Sequence, residues 1–208
     1  MGKLGEGGYG QVYKIQNKND HKDYAIKKCH LRELTEKDTQ NVLNETQIIL
    51  KLRSEFVIQY YYQWIEQNCL YFQIELCIDN LNNVLKTKKS LFTELMTIYE
   101  FYISFHMFQR LTECVQYLHE FKPQIIHRDI KPDNVLISID RRIKLCDFGI
   151  SKEVYNLEPY VMSADIGDLS YQAPEAQTND YNHKADIYSL ALIGAQIFGF
   201  DRYDIMDG

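Results

Sequence analysis

The sequence predicts an α+β chain in two parts, a small strand-rich N-terminal lobe joined to a larger, mainly helical one. Three observations carry this. Short β-branched and aromatic runs separated by polar turns dominate the first third. Apolar residues at helical spacing dominate the rest. Between them runs an aperiodic stretch, Asp147 to Glu175, too long for a passive connector.

Taken in order, Gln11–Ile15 and Asp23–Cys29 read as strands around the polar turn Asn17–Asp20. Thr35 is placed to cap a helix on which Val42, Ile48, Ile49 and Leu52 recur at helical spacing. Val57–Glu66 and Leu70–Cys77 read as two further strands flanking a Gln-Asn turn. Ser104–Phe121 sets Phe105, Phe108, Leu111, Val115 and Leu118 on one stripe, the pattern of a core-facing helix. Short strands follow at Val135–Ile137 and Ile143–Leu145. Ala185–Phe198, apolar nearly all round, reads as a buried helix. The junction falls near Glu75–Asn80 and divides the chain into residues 1–77 and 78–208.

A chain of 208 residues, 45% hydrophobic and 25% charged, has the length and composition of a water-soluble globular protein. Its formal charge of −6 argues against nucleic acid as a partner, because phosphate backbones favour clustered Lys and Arg. The N-terminal MGKLGEGGYG has no apolar run of the secretory kind, and Glu6 departs from the myristoylation pattern. The apolar stretch Leu190–Phe200 is too short and interrupted to span a bilayer, so no membrane partner is expected. Cys29, Cys69, Cys77, Cys114 and Cys146 show no C-x-x-C spacing, which suggests reduced thiols in the cytoplasm or nucleus.

Four motifs carry chemistry. Gly5-Glu6-Gly7-Gly8-Tyr9-Gly10-Gln11-Val12 fits G-x-G-x-x-G-x-V, where glycines admit backbone N–H groups close to a phosphate. A dinucleotide fold would need a helix next; a strand follows instead, which favours a flap over ATP. Tyr24-Ala25-Ile26-Lys27 puts a lysine on the following strand. Glu45 on the next helix is spaced to pair with it, and the pair would aim the ammonium at the α- and β-phosphates. Glu45 as a plain surface charge is the competing reading. His127-Arg128-Asp129-Ile130-Lys131-Pro132-Asp133-Asn134 is the most specific run. Asp129 suits a base that orients a hydroxyl, Lys131 a neutraliser of γ-phosphoryl charge, and Asn134 a metal ligand. Asp147-Phe148-Gly149, beyond two short strands, offers Asp147 to Mg²⁺.

With Ala173-Pro174-Glu175 closing the long loop and Asp186 opening the last helix, the chain resembles the eukaryotic protein kinase family over essentially its whole length. The resemblance implies a bilobal fold with Mg·ATP in the cleft, a hinge near Glu75–Cys77, and a protein substrate. It puts Ile74 at the gatekeeper position and Val12, Ala25 and Leu136 around adenine. Asp186 would be the buried aspartate that braces the catalytic loop. A plain helix N-terminal charge is the alternative reading of Asp186.

Lys131 with Pro132 is the serine/threonine-type loop. Gly167-Asp168, Lys184–Leu192 and Tyr60–Glu66 look like the Wee-type kinases, and the last is equally similar to kinases of the initiation-factor-2 alpha subunit. Arg128 and Phe148 are the ordinary residues of the wider family, so Ser/Thr and Tyr both stay open as acceptors. Arg128 and Lys152 would form a basic pocket for a phosphate on Ser163 or Tyr160, unless Asp165 or Glu158 supplies permanent charge. The family pattern extends beyond both ends of this sequence: only Met1–Leu4 precede the glycine loop. Glu175 is expected to lack its arginine partner and helix 185–198 to expose apolar surface, as in a truncated second lobe that another chain covers. A catalytically silent, nucleotide-binding interaction module is therefore the second functional expectation, and a small-molecule kinase the third, disfavoured by Ala173-Pro174-Glu175.

Overall fold

The computed structural model describes residues 2–7, 10–31, 35–91, 96–154, 170–177 and 182–200. Five antiparallel strands form the first lobe: β1 (Gly2–Gly7), β2 (Gly10–Gln16), β3 (Asp23–His30), β4 (Tyr60–Glu66) and β5 (Cys69–Glu75), in the order β1-β2-β3-β5-β4. Their turns follow from local chemistry. Asn17 and Asp20 accept from the backbone N–H groups of Asn19 and Lys22, closing the β2–β3 connection as side-chain-supported turns. Gln67 and Asn68 both take positive φ, 49° and 60°, as a tight hairpin between right-twisted strands requires. The few residues before the glycine loop suffice for a first strand: β1 starts at Gly2 and pairs with β2 as far as Gly7↔Gly10.

Helix α1 (Glu36–Lys51) buries Ile48 and Ile49, with Leu52 just beyond its end. The expected strand from Val57 begins only at Tyr60. Val57 instead makes a parallel bridge with Leu145, and the Leu145 backbone exchanges hydrogen bonds with Phe56 and Ile58. The segment after α1 is thus pinned to the second lobe. Strand β5 likewise stops at Glu75, and β6 (Cys77–Asn80) joins a separate sheet with β8 (Val135–Ser138) and β9 (Ile143–Leu145). Leu76 alone lies between the two sheets' strands.

Helix α2 (Leu81–Leu91) follows β6 directly, an element the sequence reading missed. Helix α3 spans Ile98–Glu120, starting six residues before the expected Ser104 because Thr97 caps it, its hydroxyl accepting from the Glu100 N–H at 3.1 Å. Leu111, Val115 and Leu118 on the expected stripe are buried, but Phe105 is half exposed. Two three-residue strands, β7 (Gln124–Ile126) and β10 (Lys152–Val154), pair on either side of the catalytic loop. Helix α4 (Lys184–Ile197) is buried along most of its length, as its composition requires. It packs so closely on α3 that a Cβ at Gly194 would lie 2.7 Å from the Phe108 ring. The expected apolar exposure on this helix is limited to Ile187 and the small Ala191; the larger exposed apolar face belongs to the first turns of α3, Ile98, Tyr99 and Tyr102. The last carbonyl of α4, that of Ile197, accepts from Lys88 Nζ at 2.6 Å and Ser104 Oγ at 3.0 Å. Lys88 is itself paired with buried Glu100 at 2.8 Å. No helix among the described residues is long and apolar enough to cross a membrane.

Candidate active site

A cleft cavity of about 670 Å³ lies where the two sheets meet at Glu75 and Cys77. Its lining draws on both lobes: Gly5, Gly10, Val12, Ala25, Lys27 and Glu45 from the first, Ile74, Glu75 and Cys77 at the junction, and Lys131, Asn134, Leu136 and Asp147 from the second. Ala25 and Lys27 share one face of β3 by strand alternation, and β3 is in register with β5 at Ala25↔Ile74. Of the glycine-loop residues, Gly7 ends β1, and Gly8 lies outside the described residues. Gly10 is required by the fold: its φ is 153°, and a Cβ there would sit 2.0 Å from the Lys28 carbonyl oxygen. At Gly5 a Cβ would meet nothing within 4 Å, so packing does not demand glycine where the backbone borders the cavity.

Lys27 Nζ binds both Glu45 oxygens, at 2.8 and 2.7 Å, with both side chains largely buried. Burial works against the ammonium, but Glu45 first and Asp147 second overcome it and hold the Lys27 pKa well above the ordinary lysine range. Lys27 is therefore a permanent cation facing both carboxylates.

The catalytic loop is held from beneath by Asp186, buried at the start of α4. Its carboxylate accepts from the backbone N–H groups of His127 and Arg128, each at 2.9 Å, and from His119 Nε2 at 2.8 Å. Arg128 has φ of 72° and Asp147 φ of 65°, left-handed conformations that are costly for side chains with a Cβ. His127 donates from Nε2 to the Cys146 carbonyl at 3.0 Å, while its Nδ1 accepts from the Asp129 N–H at 3.3 Å. These partners fix its tautomer and join the loop to the residue before Asp147. The His127 ring also packs on Phe148, centroids 4.9 Å apart, and Phe148 is fully buried.

Asp129 sits between two donors. Lys131 Nζ reaches Asp129 Oδ2 at 2.9 Å and Asn134 Nδ2 the same oxygen at 2.8 Å. Asn134 Nδ2 also donates to the Asp129 carbonyl at 2.9 Å, which leaves its amide oxygen as the atom for another ligand. Among the described residues no three His, Cys, Asp or Glu side chains cluster as an all-protein metal site. One carboxylate and one amide oxygen on the lining of this cavity are what Mg²⁺ takes, since it keeps waters and substrate oxygens as its other ligands. The residues present fit Mg²⁺ with a nucleotide.

The family described as protein kinase domain matches residues 1–202. The chain belongs to the protein kinase domain family. Among curated proteins it is similar to the probable serine/threonine-protein kinase nek3 of Dictyostelium discoideum, 32% identical over 91% of this chain and 17% of that protein. It is similar also to serine/threonine-protein kinase pakH of the same organism, 30% identical over 94% of this chain and 36% of that protein. Serine/threonine-protein kinase cst-1 of Caenorhabditis briggsae is 31% identical over 95% of this chain and 37% of its own length. The chain thus spans little more than a third of these relatives at most.

Other features of this kinase domain site escaped the sequence reading, which named Glu75 as a hinge residue but not its side-chain partners. Glu75 Oε2, at the junction, accepts from Lys144 Nζ at 3.0 Å and from the Gln59 N–H at 3.1 Å, tying β5 to β9. Asp79, Asn80 and Asn83 line the mouth of the cavity beside Asp133. No motif marks them: the partners of Glu75 are far away in sequence, while Asp79, Asn80 and Asn83 bond among themselves, Asn83 Nδ2 donating to Asp79 Oδ1 at 2.8 Å. Glu175, on the 3₁₀ turn Pro174–Gln177, is exposed and has an interaction partner. Asp168, Ser163, Tyr160, Asp165 and Glu158 lie outside the described residues.

Proposed function

We propose that the chain is an ATP- and Mg²⁺-dependent protein kinase that phosphorylates serine or threonine hydroxyls of a protein substrate. The observation that carries this is the convergence of the Lys27–Glu45 pair, Asp147 and the Asp129–Lys131–Asn134 cluster on one cleft. Bound Mg·ATP supplies the transferable phosphoryl and neutralises its oxygens. Val12, Ala25 and Leu136 enclose the base, with Ile74 behind it and the Glu75–Cys77 backbone alongside. Lys27, held cationic by Glu45, orients the α- and β-phosphates. Asn134 and Asp147 hold the metal through oxygen. Asp129 takes the acceptor hydroxyl as a hydrogen-bond donor and receives its proton, while Lys131 offers charge to the γ-phosphoryl.

The Lys131-Pro132 loop and the similarity to relatives named as serine/threonine-protein kinases favour Ser/Thr over Tyr. Five free cysteines suit a reducing compartment, the cytoplasm or nucleus. The test is transfer from labelled ATP to a generic protein acceptor, with Asp129→Asn as control, followed by phosphoamino-acid analysis. Phosphoserine or phosphothreonine, lost in the control, is expected. Phosphotyrosine would favour the Wee-type likeness, and nucleotide binding without transfer would favour a silent module.

A further inference from the structure

We infer that Asn44 is a positioning residue for phosphoryl transfer, tying the helix that carries Glu45 to the turn that carries Asp147. The inference rests on the kinase reading above and adds a residue to it. Helix α1 meets the site through two adjacent side chains on different faces. Glu45 reaches Lys27 on β3. Asn44 reaches the segment after Asp147, its Nδ2 lying 2.8 Å from the Ser151 carbonyl oxygen, 3.2 Å from that of Gly149 and 3.4 Å from that of Phe148.

Three backbone carbonyls that converge on one point repel one another unless a donor sits at the focus. An amide NH₂ brings two hydrogens and no acceptor on that atom, which suits the place. The turn it holds begins with Asp147 in the left-handed region and closes with the Ser151 N–H donating to the Phe148 carbonyl at 3.1 Å. Along the same side of α1, Ile48 shares the buried core with Phe148. Two turns on from Asn44, Lys51 pairs with Glu153 at 2.6 Å. A polar, an apolar and a second polar contact thus seat one stripe of the helix on residues 148–153. Any swing of α1 that parts Glu45 from Lys27 also withdraws the donor from these carbonyls. The lysine pair and the orientation of Asp147 are thereby linked through one helix.

The test uses Asn44→Ala, which deletes the donor, and Asn44→Asp, which keeps the shape and puts an acceptor at the focus. Alanine is the better helix former, so the first variant does not weaken α1. Asn44 does not line the cavity, so metal-free ADP should bind both variants as it binds the wild type. The gain in ADP affinity on adding Mg²⁺ should shrink by about tenfold, the loss expected for one or two net hydrogen bonds. Backbone amides at 148–151 should exchange with deuterium faster, while those of β2, β3 and β5 keep their protection. Unchanged exchange at 148–151 with an unchanged Mg²⁺ gain in both variants would overturn the inference. A wild type that binds no nucleotide would sink the kinase reading instead, and the exchange comparison would still decide whether Asn44 holds the turn.

Discussion

Removing the carboxylate of Asp186 should destabilise the fold although this residue does not line the cleft. In Asp186→Ala two buried backbone N–H groups, those of His127 and Arg128, lose a charged acceptor. Each such donor left unsatisfied costs about 1–3 kcal/mol, so the pair costs about 2–6 kcal/mol. His119 loses its partner as well. Strain acts the other way: Arg128 holds φ of 72° only while Asp186 fixes its N–H, and relaxation would return about 1–2 kcal/mol. With about 0.5–1.5 kcal/mol added for the lost His119 hydrogen bond, the net loss is about 0.5–6.5 kcal/mol, against a typical total of about 5–15 kcal/mol. Asp186→Asn keeps one acceptor but turns an NH₂ toward the other N–H, and should fall between the two. Urea unfolding followed by far-UV circular dichroism measures this as a lower midpoint at unchanged slope. Turnover should fall in the same order, since Asp129 follows Arg128 directly and loses its placement when the loop relaxes. Both variants within about 0.5 kcal/mol of wild type, the range of an ordinary surface change, would refute the reasoning.

Gly10→Ala should destabilise by about 2–4 kcal/mol, because the new Cβ falls 2.0 Å from the Lys28 carbonyl oxygen. Gly5→Ala should leave unfolding within about 0.5 kcal/mol of wild type while weakening nucleotide binding; calorimetry separates the two effects. Lys88→Met strands buried Glu100 and should cost about 3–5 kcal/mol in urea unfolding, most of it regained when Glu100→Leu is added. Burial first and Glu75 second push the Cys77 thiol up to about 12, with Lys144 opposing. Its thiolate fraction at neutral pH is then on the order of 10⁻⁵, and alkylation by iodoacetamide should accelerate about tenfold per pH unit to pH 10 without levelling near 9. A plateau near 9 would show an ordinary, solvated thiol.

The candidate reacting groups were legible in the sequence because each sits in a short run of characteristic residue types and spacing. The order glycine loop, Lys27, Glu45, Asp129, Asn134, Asp147 already implied one cleft, and the cavity brings together all of these but Asp129, which is held against its wall by Lys131 and Asn134. Helix α1 was legible from its apolar spacing, and the buried helix α4 from its nearly all-apolar composition. Helix α2 was not: Leu81, Val84 and Leu85 make one short apolar face, and the rest of its sequence is lysine, asparagine, threonine and serine before the exposed Leu91. The strands β7 and β10, three residues each, carry no period and exist only because each supplies the other's backbone partners. The early start of α3 was hidden in the same way, since Ile98, Tyr99 and Tyr102 lie outward and spoil the amphipathic stripe.

What holds the reacting groups at their angles is a different kind of information. Asp147 and Arg128 both occupy left-handed backbone, and neither conformation is favoured by its own neighbours in sequence. Each persists because a distant side chain binds the backbone beside it: Asp186 at Arg128, and Asn44 just after Asp147. Both braces are polar residues on helices whose apolar faces are already committed to the core, so their positions are set by burial of other residues. A carboxylate answers the loop's N–H groups and an amide answers the turn's carbonyls, each of opposite polarity to the backbone it meets. Exchanging the two chemistries would leave the spacing of every motif intact and both turns without their partners. The motifs therefore specify the candidate reacting atoms, while their geometry is set by single polar residues: Asp186, which the family resemblance marked, and Asn44, which no motif marks.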